Sequence, residues 1–181
     1  QKKQTRDSGQ PLPGFVFFGI LIVMTVSLRD ARHAPQQRAW LESSYANWLT
    51  EFTRRRVTAD EASQGLAEWF GDRRNIVMLL MRDGLPAGFS VFSRLPLPSL
   101  DAFRMQEFYV EPQMRRRGVG RAAAPLLFDR FAGQWEVREL RRNVPSVYFW
   151  REIVRSYTDG RYEESLVGEE VVQRFVSNGA R

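Results

Sequence analysis

Apolar side chains recur every three or four residues in the first third of the chain, which is the spacing of helices with one buried face. The first such stretch covers residues 37–52, and the second covers residues 58–70. Thr58 and Glu61 have the spacing of a capping box, which fixes where the second helix begins. We interpret most of the large apolar side chains as core packing. They are Trp40, Leu41, Tyr45, Trp48, Leu49 and Phe52 in the first helix, and Leu66, Trp69 and Phe70 in the second.

Strand-like runs surround these helices. Residues 25–29 predict a first strand, ahead of the helices. Residues 76–81 and 87–92 are two further apolar runs on either side of Asp83-Gly84, a strong signal for a hairpin turn. Residues 103–110 predict a fourth strand, after a proline-containing loop.

Helix and strand signals alternate in the C-terminal part of the chain. Residues 121–131 predict a helix, and we expect Pro125 to bend it or delay its start because proline lacks an N–H donor. Residues 136–140 predict a short strand, residues 146–157 a helix, and residues 162–176 one or two closing strands. This order of elements predicts a layered α/β domain with mixed strand directions.

The first 23 residues differ in composition from the rest. Residues 1–14 are polar and include basic side chains, and an apolar run over residues 15–24 follows. This order is typical of a signal peptide, although no small-residue cleavage site follows cleanly, and the run is shorter than the roughly 20 residues that span a bilayer. We favour Met24 as the natural start, with residues 1–23 as a leader or an artefactual, disordered extension, and residues 24–181 as one domain. An additional strand or a partner-binding arm is the third interpretation.

Composition excludes several kinds of site. The chain has 181 residues, enough for one domain with a sizeable core. It has no cysteine and a single histidine, His33, so disulfides, a cysteine nucleophile and a histidine-rich zinc site are excluded, and we expect no metal. The net charge of +6 favours a polyanionic ligand, either a nucleic acid or a molecule with several phosphates.

A loop rich in arginine and glycine lies between the fourth predicted strand and the following helix. Its glycines, Gly118 and Gly120, allow a tight turn and a close approach by a ligand. The N–H groups at the start of a helix lack partners within the helix, and the helix dipole there favours negative charge. The loop therefore predicts a phosphate site, although a solvated basic turn is the alternative. The spacing matches neither a dinucleotide-binding motif nor a P-loop.

The sequence around this loop resembles the Gcn5-related N-acetyltransferase (GNAT) family. That family has Arg or Gln, two residues, Gly, one residue, then Gly or Ala, after a strand that ends in Val-x-Pro. Here Val110-Glu111-Pro112 precedes Arg115-x-x-Gly118-x-Gly120, and the segment from Asn143 to Trp150 is similar to the family's Asn-x-x-Ala segment and aromatic pair. The resemblance is strongest over residues 105–157. It implies a mixed, mostly antiparallel sheet of six to seven strands, flanked by about four helices and splayed between the fourth and fifth strands.

The resemblance also implies acetyl-CoA as co-substrate and assigns positions to it. The strand backbone of residues 108–110 would bind the pantetheine arm, the loop would hold the pyrophosphate mainly through N–H groups, Asn143 would bond the arm, and an aromatic pair would pack beside it. One or two aromatic side chains of the first two helices would line the acceptor pocket. The predicted cofactor-binding residues are Phe108, Tyr109, Val110, Arg115, Arg116, Arg117, Gly118, Val119, Gly120, Arg121, Asn143, Phe149 and Trp150.

The candidate catalytic residues are Glu107, Tyr148 and Tyr157. Glu107 lies in an otherwise apolar strand, where burial would raise its pKa towards the range of a general base; an exposed residue or an ion pair with an arginine is the alternative. The family commonly has a tyrosine seven residues after the asparagine, but Trp150 occupies that position, and an indole N–H is not a useful acid. Tyr148 or Tyr157 would have to replace it, or the thiolate would leave without a protein acid.

We therefore predict an acetyl-CoA-dependent N-acetyltransferase that acts on a primary amine of a small molecule or a protein. A module that binds acetyl-CoA without catalysis and a basic nucleic-acid-binding domain remain alternatives, although no groove-reading motif supports the second. We expect a cytoplasmic protein with a small-molecule amine as acceptor and no nucleic-acid or membrane partner. A homodimer is compatible with the sequence.

Overall fold

The computed structural model describes residues 24–96 and 101–179, which form one seven-stranded sheet with helices on both faces. Residues 1–23, and with them the proposed extension, lie outside the described residues. The strands are β1 (Val26–Asp30), β2 (Asn75–Arg82), β3 (Leu85–Arg94), β4 (Ala102–Val110), β5 (Gly133–Leu140), β6 (Glu163–Val167) and β7 (Glu170–Ser177). The helices are α1 (Arg38–Thr53), α2 (Ala59–Gly71), α3 (Val119–Arg130) and α4 (Val144–Thr158).

The strands lie in the order β1-β2-β3-β4-β5-β7-β6. Among the strands of the described residues, β4 and β5 are parallel neighbours and every other pair is antiparallel. The parallel pair is short, because Ala102–Arg104 pairs with Gln134–Glu136 and no pairing follows. The sheet is therefore split between its fourth and fifth strands. The predicted mixed, mostly antiparallel sheet with four helices and a central splay is confirmed.

An ionic cluster holds the base of this split. The Glu136 carboxylate accepts hydrogen bonds from Arg104 of β4 at 2.7 Å, Arg138 of β5 at 2.7 Å and Arg174 of β7 at 2.8 Å. Burial alone would raise the pKa of Glu136, but the bonds from Arg138 and Arg104 outweigh it and lower the pKa to about 2. The three strands are thus joined where β4 and β5 last pair.

Two local sequence signals are borne out. Asp83 and Gly84 both have positive φ, 51° and 81°, as the tight turn between β2 and β3 requires. The capping box also forms, because the Thr58 hydroxyl accepts from the Glu61 N–H at 3.2 Å and the Glu61 carboxylate accepts from the Thr58 N–H at 2.8 Å.

Each face of the sheet carries its own hydrophobic core. One core packs α3 and α4 against the sheet, and the other packs α1 and α2 against the opposite face. In β4, Met105 belongs to the first core and Tyr109 to the second, although residues four apart in a regular strand share a face. The register shift at Gln106 explains this, since a β-bulge there turns the following side chains over. Glu107, which shares a face with Tyr109, therefore points to the α1 and α2 side.

Two boundaries differ from the sequence prediction. The helix α3 begins at Val119 and continues through Pro125, so it does not start late. The strand β5 begins at Gly133, three residues earlier than expected; a Cβ there would lie 2.1 Å from the Asp101 carbonyl oxygen, so only glycine allows this approach. The C-terminal segment forms two strands, β6 and β7, which agrees with the one or two closing strands that the sequence predicted.

Candidate active site

A groove of about 1450 Å³ opens where β4 and β5 separate. It is bounded by the end of β4, the Arg/Gly loop, the start of α3, the loop between β5 and α4, and the C-terminal end of α1. Its lining residues are Trp48, Glu51, Phe52, Thr53, Arg54, Phe108, Tyr109, Val110, Met114, Arg115, Arg116, Gly118, Val119, Gly120, Arg121, Leu140, Arg142, Asn143, Pro145, Ser146 and Phe149. The structure thus brings most of the predicted cofactor-binding residues to one surface.

The Arg/Gly loop presents a free helix N-terminus to this groove. Gly118 is the N-cap residue of α3, with φ of 81°, and none of the described side chains caps it. The first helical hydrogen bond runs from the N–H of Ala122 to the Gly118 carbonyl, so the N–H groups of Val119, Gly120 and Arg121 precede the helical ladder. These donors, with the positive end of the helix dipole, suit an anion.

The four arginines of the loop differ in what their side chains do. Arg115 is engaged within the protein: it donates to the Glu51 carboxylate at 2.8 and 2.7 Å and to the Val110 carbonyl at 2.8 Å, so it ties α1 to the end of β4. Arg121 forms an exposed ion pair with Glu152. The exposed side chains of Arg116 and Arg117 form none of the ion pairs found in the described part of the chain. Contacts to an anion would come from backbone N–H groups and these two side chains.

Gly120 lines the groove beside two aromatic rings. A Cβ added there would lie 3.3 Å from the Phe149 ring and 3.4 Å from the Phe108 ring. The two rings lie 5.8 Å apart, and Trp150 packs edge-on against both. A side chain at residue 120 would therefore crowd these rings and occupy space that a ligand in the groove would need.

Glu107 lies beside the groove, one residue before the lining residue Phe108, and is not itself a lining residue. Its pKa is raised to about 8, first because the partly buried carboxyl is desolvated and second because of the negative charge of the Glu139 carboxylate on β5. A group with this pKa is partly ionised near neutral pH, which suits a general base.

Glu139 and Trp150 form a contact that sequence reasoning missed. The Trp150 Nε1–H donates to Glu139 Oε1 at 2.9 Å. Burial raises the pKa of Glu139, while hydrogen bonds from Ser146 and Trp150 lower it in part. The alternation in β5 carried the signal, because Trp135, Val137 and Glu139 fall on one face of the strand and the first two are buried.

The structure brings neither candidate tyrosine to the groove. Tyr148 is 65% exposed on α4 and does not line the groove. Tyr157 lies near the far end of α4, where its hydroxyl contacts Asp129 and Ser177, both at 2.7 Å. It shares a helix face with Trp150 as expected, but seven residues of helix place it about 10 Å further along the axis. The prediction that one of them acts as the acid gains no support from these positions.

Asn143 lies at the mouth of the groove, as the N-cap residue of α4, and makes no side-chain cap there. Its side chain is therefore not used to start the helix and faces the ligand space together with Ser146. On the opposite wall, Trp48 and Phe52 of α1 stack at 5.4 Å, and both line the groove. These are two aromatic residues of α1 that are not wholly used for core packing.

A mixed sheet that splits between two parallel central strands, with a helix N-terminus at the mouth of the split, is the fold of the GNAT acetyltransferases. No protein-family model matches the sequence, and no curated protein matches it either. Solved structures do match.

An acetyltransferase from Thermus thermophilus superposes with a TM-score of 0.63 at 13% identity, over 84% of this chain and 97% of that one. Spermidine N-acetyltransferase from Vibrio cholerae, solved in complex with CoA and spermine, gives 0.60 at 10% identity, over 84% and 95%. A GNAT-family acetyltransferase from Staphylococcus aureus gives 0.57 at 8% identity, over 85% and 100%. At these identities the similarity shows that the chain has the GNAT fold.

Two structural features are absent from the described residues. No helix among them is long and apolar enough to cross a bilayer. They also contain no group of three or more histidine, aspartate or glutamate side chains placed to hold a metal ion.

Proposed function

We propose that this protein is an acetyl-CoA-dependent N-acetyltransferase, which moves an acetyl group directly to a primary amine. The observation that carries the proposal is the position of the split: it opens onto the uncapped start of α3 and the Arg/Gly loop. If an anionic group of a ligand bound at the start of α3, the chain attached to that group would lie between β4 and β5. This matches the arrangement that the GNAT fold uses for its co-substrate.

The residues of the groove fit acetyl-CoA. The pyrophosphate would accept hydrogen bonds from the N–H groups of residues 119–121, and Arg116 and Arg117 would add charge. The edge of β4 that faces β5 has no strand partner after Arg104, so its backbone groups are free to bond the amides of the pantetheine arm. The rings of Phe108 and Phe149 would cover the arm from the α4 side.

Glu107 would act on the amine. An ammonium group must lose a proton before its nitrogen can attack the thioester carbonyl, and a carboxylate with a pKa near 8 can accept that proton near neutral pH. Glu107 acts directly or through water, since it lies behind the lining of the groove. The acetyl carbonyl would be polarised by the unpaired backbone N–H groups of β4.

The acceptor we favour is a small cationic amine. Trp48 and Phe52 offer stacked aromatic faces on the α1 side of the groove, and cations bind well over such rings. The structural neighbour from V. cholerae acts on spermidine, which is an amine of this kind. A protein amine is the other acceptor that this surface would accept.

A module that binds acetyl-CoA without turning it over is the second candidate, and Trp150 is the observation that favours it. Its indole occupies the position of the family's tyrosine and donates a hydrogen bond to Glu139.

We further propose a cytoplasmic location. A homodimer would have an exposed apolar edge to use, at Leu166 and Val167 of β6.

The test is an assay of CoA release over a panel of amines that includes spermidine, spermine, amino acids and peptides. An enzyme releases CoA in proportion to one class of amine and at a rate far above hydrolysis of acetyl-CoA alone. Binding of acetyl-CoA without amine-dependent release throughout the panel would favour the binding module instead.

A further inference from the structure

The side chain of Arg115 binds protein groups on the α1 side of the groove through each of its nitrogens. Its Nε–H donates to the Val110 carbonyl at 2.8 Å, and its two terminal nitrogens donate to the two carboxylate oxygens of Glu51 at 2.8 and 2.7 Å. The guanidinium also lies over the Tyr109 ring, 5.2 Å from its centroid. The planar fork of arginine suits this two-bond contact with a carboxylate, and lysine could not reproduce it. The guanidinium is therefore held by the protein.

Glu51 lies in the last turn of α1, the helix that forms one wall of the groove. Trp48 precedes it by one helical turn and Phe52 follows it directly, and all three residues line the groove. Trp48 and Phe52, which we call the aromatic wall, stack at 5.4 Å. Within the described residues, the bonds between Glu51 and Arg115 are the only side-chain hydrogen bonds that join α1 to the sheet or to the Arg/Gly loop. The ion pair thus fixes the end of α1 that carries the aromatic wall.

The ion pair is too exposed to be needed for folding. The side chains of Arg115 and Glu51 are 39% and 52% exposed, and ion pairs at such exposure contribute little to the free energy of unfolding. Packing of α1 on the sheet comes from buried side chains earlier in the helix, Leu41 and Tyr45. The ion pair therefore determines where the last turn of α1 lies, and the core determines that the helix packs.

We propose that Arg115 is a positioning residue for the acceptor amine: through Glu51 it holds the aromatic wall in place, and its side chain does not bind acetyl-CoA. The inference rests on the proposed function, in which the amine binds against this wall. Arg116, the next residue of the loop, is exposed and lines the groove, and none of the ion pairs in the described part of the chain involves it. Its charge remains available to the pyrophosphate. The side chains of two neighbouring arginines therefore act on different substrates.

The test compares Arg115→Gln with Arg116→Gln by calorimetry of acetyl-CoA binding and by kinetics at saturating acetyl-CoA. The amine is the member of the panel of spermidine, spermine, amino acids and peptides that releases CoA fastest. Arg115→Gln should raise KM for the amine about 10- to 100-fold, because displacement of a binding wall by about 1 Å weakens its contacts, with kcat and the Kd of acetyl-CoA changed less than about threefold. Arg116→Gln should raise the Kd of acetyl-CoA about three- to tenfold and leave KM for the amine nearly unchanged.

Arg38→Gln is the matched control. Arg38 forms an ion pair of similar exposure with Glu42 at the other end of α1, about 20 Å along the helix, so its loss should leave both constants at the wild-type values. A variant that carries Glu51→Arg and Arg115→Glu together should rebuild the ion pair and recover most of the amine affinity that either change alone loses. Each variant should melt within about 2–4 °C of the wild type, as expected for an exposed ion pair.

Several results would overturn the inference and leave the proposed function intact. One is an unchanged KM for the amine in Arg115→Gln, and another is a loss of acetyl-CoA affinity in that variant as large as in Arg116→Gln. A fall in KM would also overturn it, because the amine would then bind the Glu51 carboxylate that the substitution frees.

The double variant decides the matter if Arg115→Gln melts far below the wild type. Recovery of both stability and amine affinity in the double variant would support the positioning role, and recovery of stability alone would overturn it. If the wild type releases no CoA with any amine of the panel, the proposed function fails, and this inference fails with it.

Discussion

Replacing Glu107 by glutamine should stabilise the protein at alkaline pH and leave its stability nearly unchanged in acid. The pKa of Glu107 is raised from 4.5 to about 8 in the folded protein, with burial as the main cause. The folded state thus holds the proton more tightly than the unfolded chain, so the contribution of Glu107 to wild-type stability falls as pH rises from about 4.5 to about 8. At about 1.4 kcal/mol per pKa unit, ionisation of Glu107 lowers the free energy of unfolding by up to about 5 kcal/mol. Because Glu107 is coupled to Glu139, we expect Glu107→Gln to be more stable than the wild type at alkaline pH by about 2–5 kcal/mol.

The assay is urea unfolding of the wild type and Glu107→Gln at several pH values from 4 to 9. The two proteins should have similar free energies of unfolding near pH 4.5, because a protonated glutamate and a glutamine are alike in shape and charge. The difference between their free energies of unfolding should increase through neutral pH and become constant above about pH 8. Glu163→Gln, on an exposed strand, should show no such trend. A gap of the same size at all pH values would refute the assignment of a buried, proton-holding Glu107.

Three further predictions concern activity, the capping box and the N-terminal residues. With an amine that supports CoA release, Glu107→Gln should lower the maximal rate about 10²- to 10⁴-fold and abolish the fall in rate below about pH 8, with acetyl-CoA affinity unchanged; near-normal turnover with an unchanged pH profile would make Glu107 structural. Thr58→Ala should cost about 0.5–2 kcal/mol in urea unfolding, since it removes the cap of α2, and a loss below this range would mean that the cap contributes little. A chain that starts at Met24 should melt and turn over like the full chain, whereas a drop of several degrees in melting temperature would show that residues 1–23 pack into the domain.

Local signals predicted most of the fold. The Asp83-Gly84 turn and the Thr58 and Glu61 capping box depend on neighbouring residues alone, so the sequence carries them in full. The split between β4 and β5 was expected only through the family resemblance, because strand pairing joins residues far apart in the chain. The bulge at Gln106, which turns Glu107 to the α1 side, left no recognisable pattern in the sequence.

The backbone segments that form the candidate site could be predicted from the sequence, whereas most contacts of their side chains could not. The loop lies at the groove, directly before α3, where its glycines and its position had predicted an anion site. The use of Arg115 to bind Glu51, 64 residues away, depends on how α1 packs and could not be read from the loop. The pair of Glu139 and Trp150 also depends on tertiary packing, here of α4 on β5. Only the alternation of the apolar residues Trp135 and Val137 in β5, which places Glu139 on the same face, pointed to it.

Calorimetric titration of acetyl-CoA into the wild type, Gly120→Trp and Gly71→Trp tests the central claim most directly. A side chain at residue 120 enters the space between the loop and the Phe149 ring, whereas a Cβ at Gly71, at the end of α2, meets nothing within 4 Å. Circular dichroism first establishes that both variants are folded. We predict binding of one acetyl-CoA per chain to the wild type and Gly71→Trp and none to Gly120→Trp. Equal affinity in all three proteins, or no binding to the wild type, would contradict the assignment of the groove.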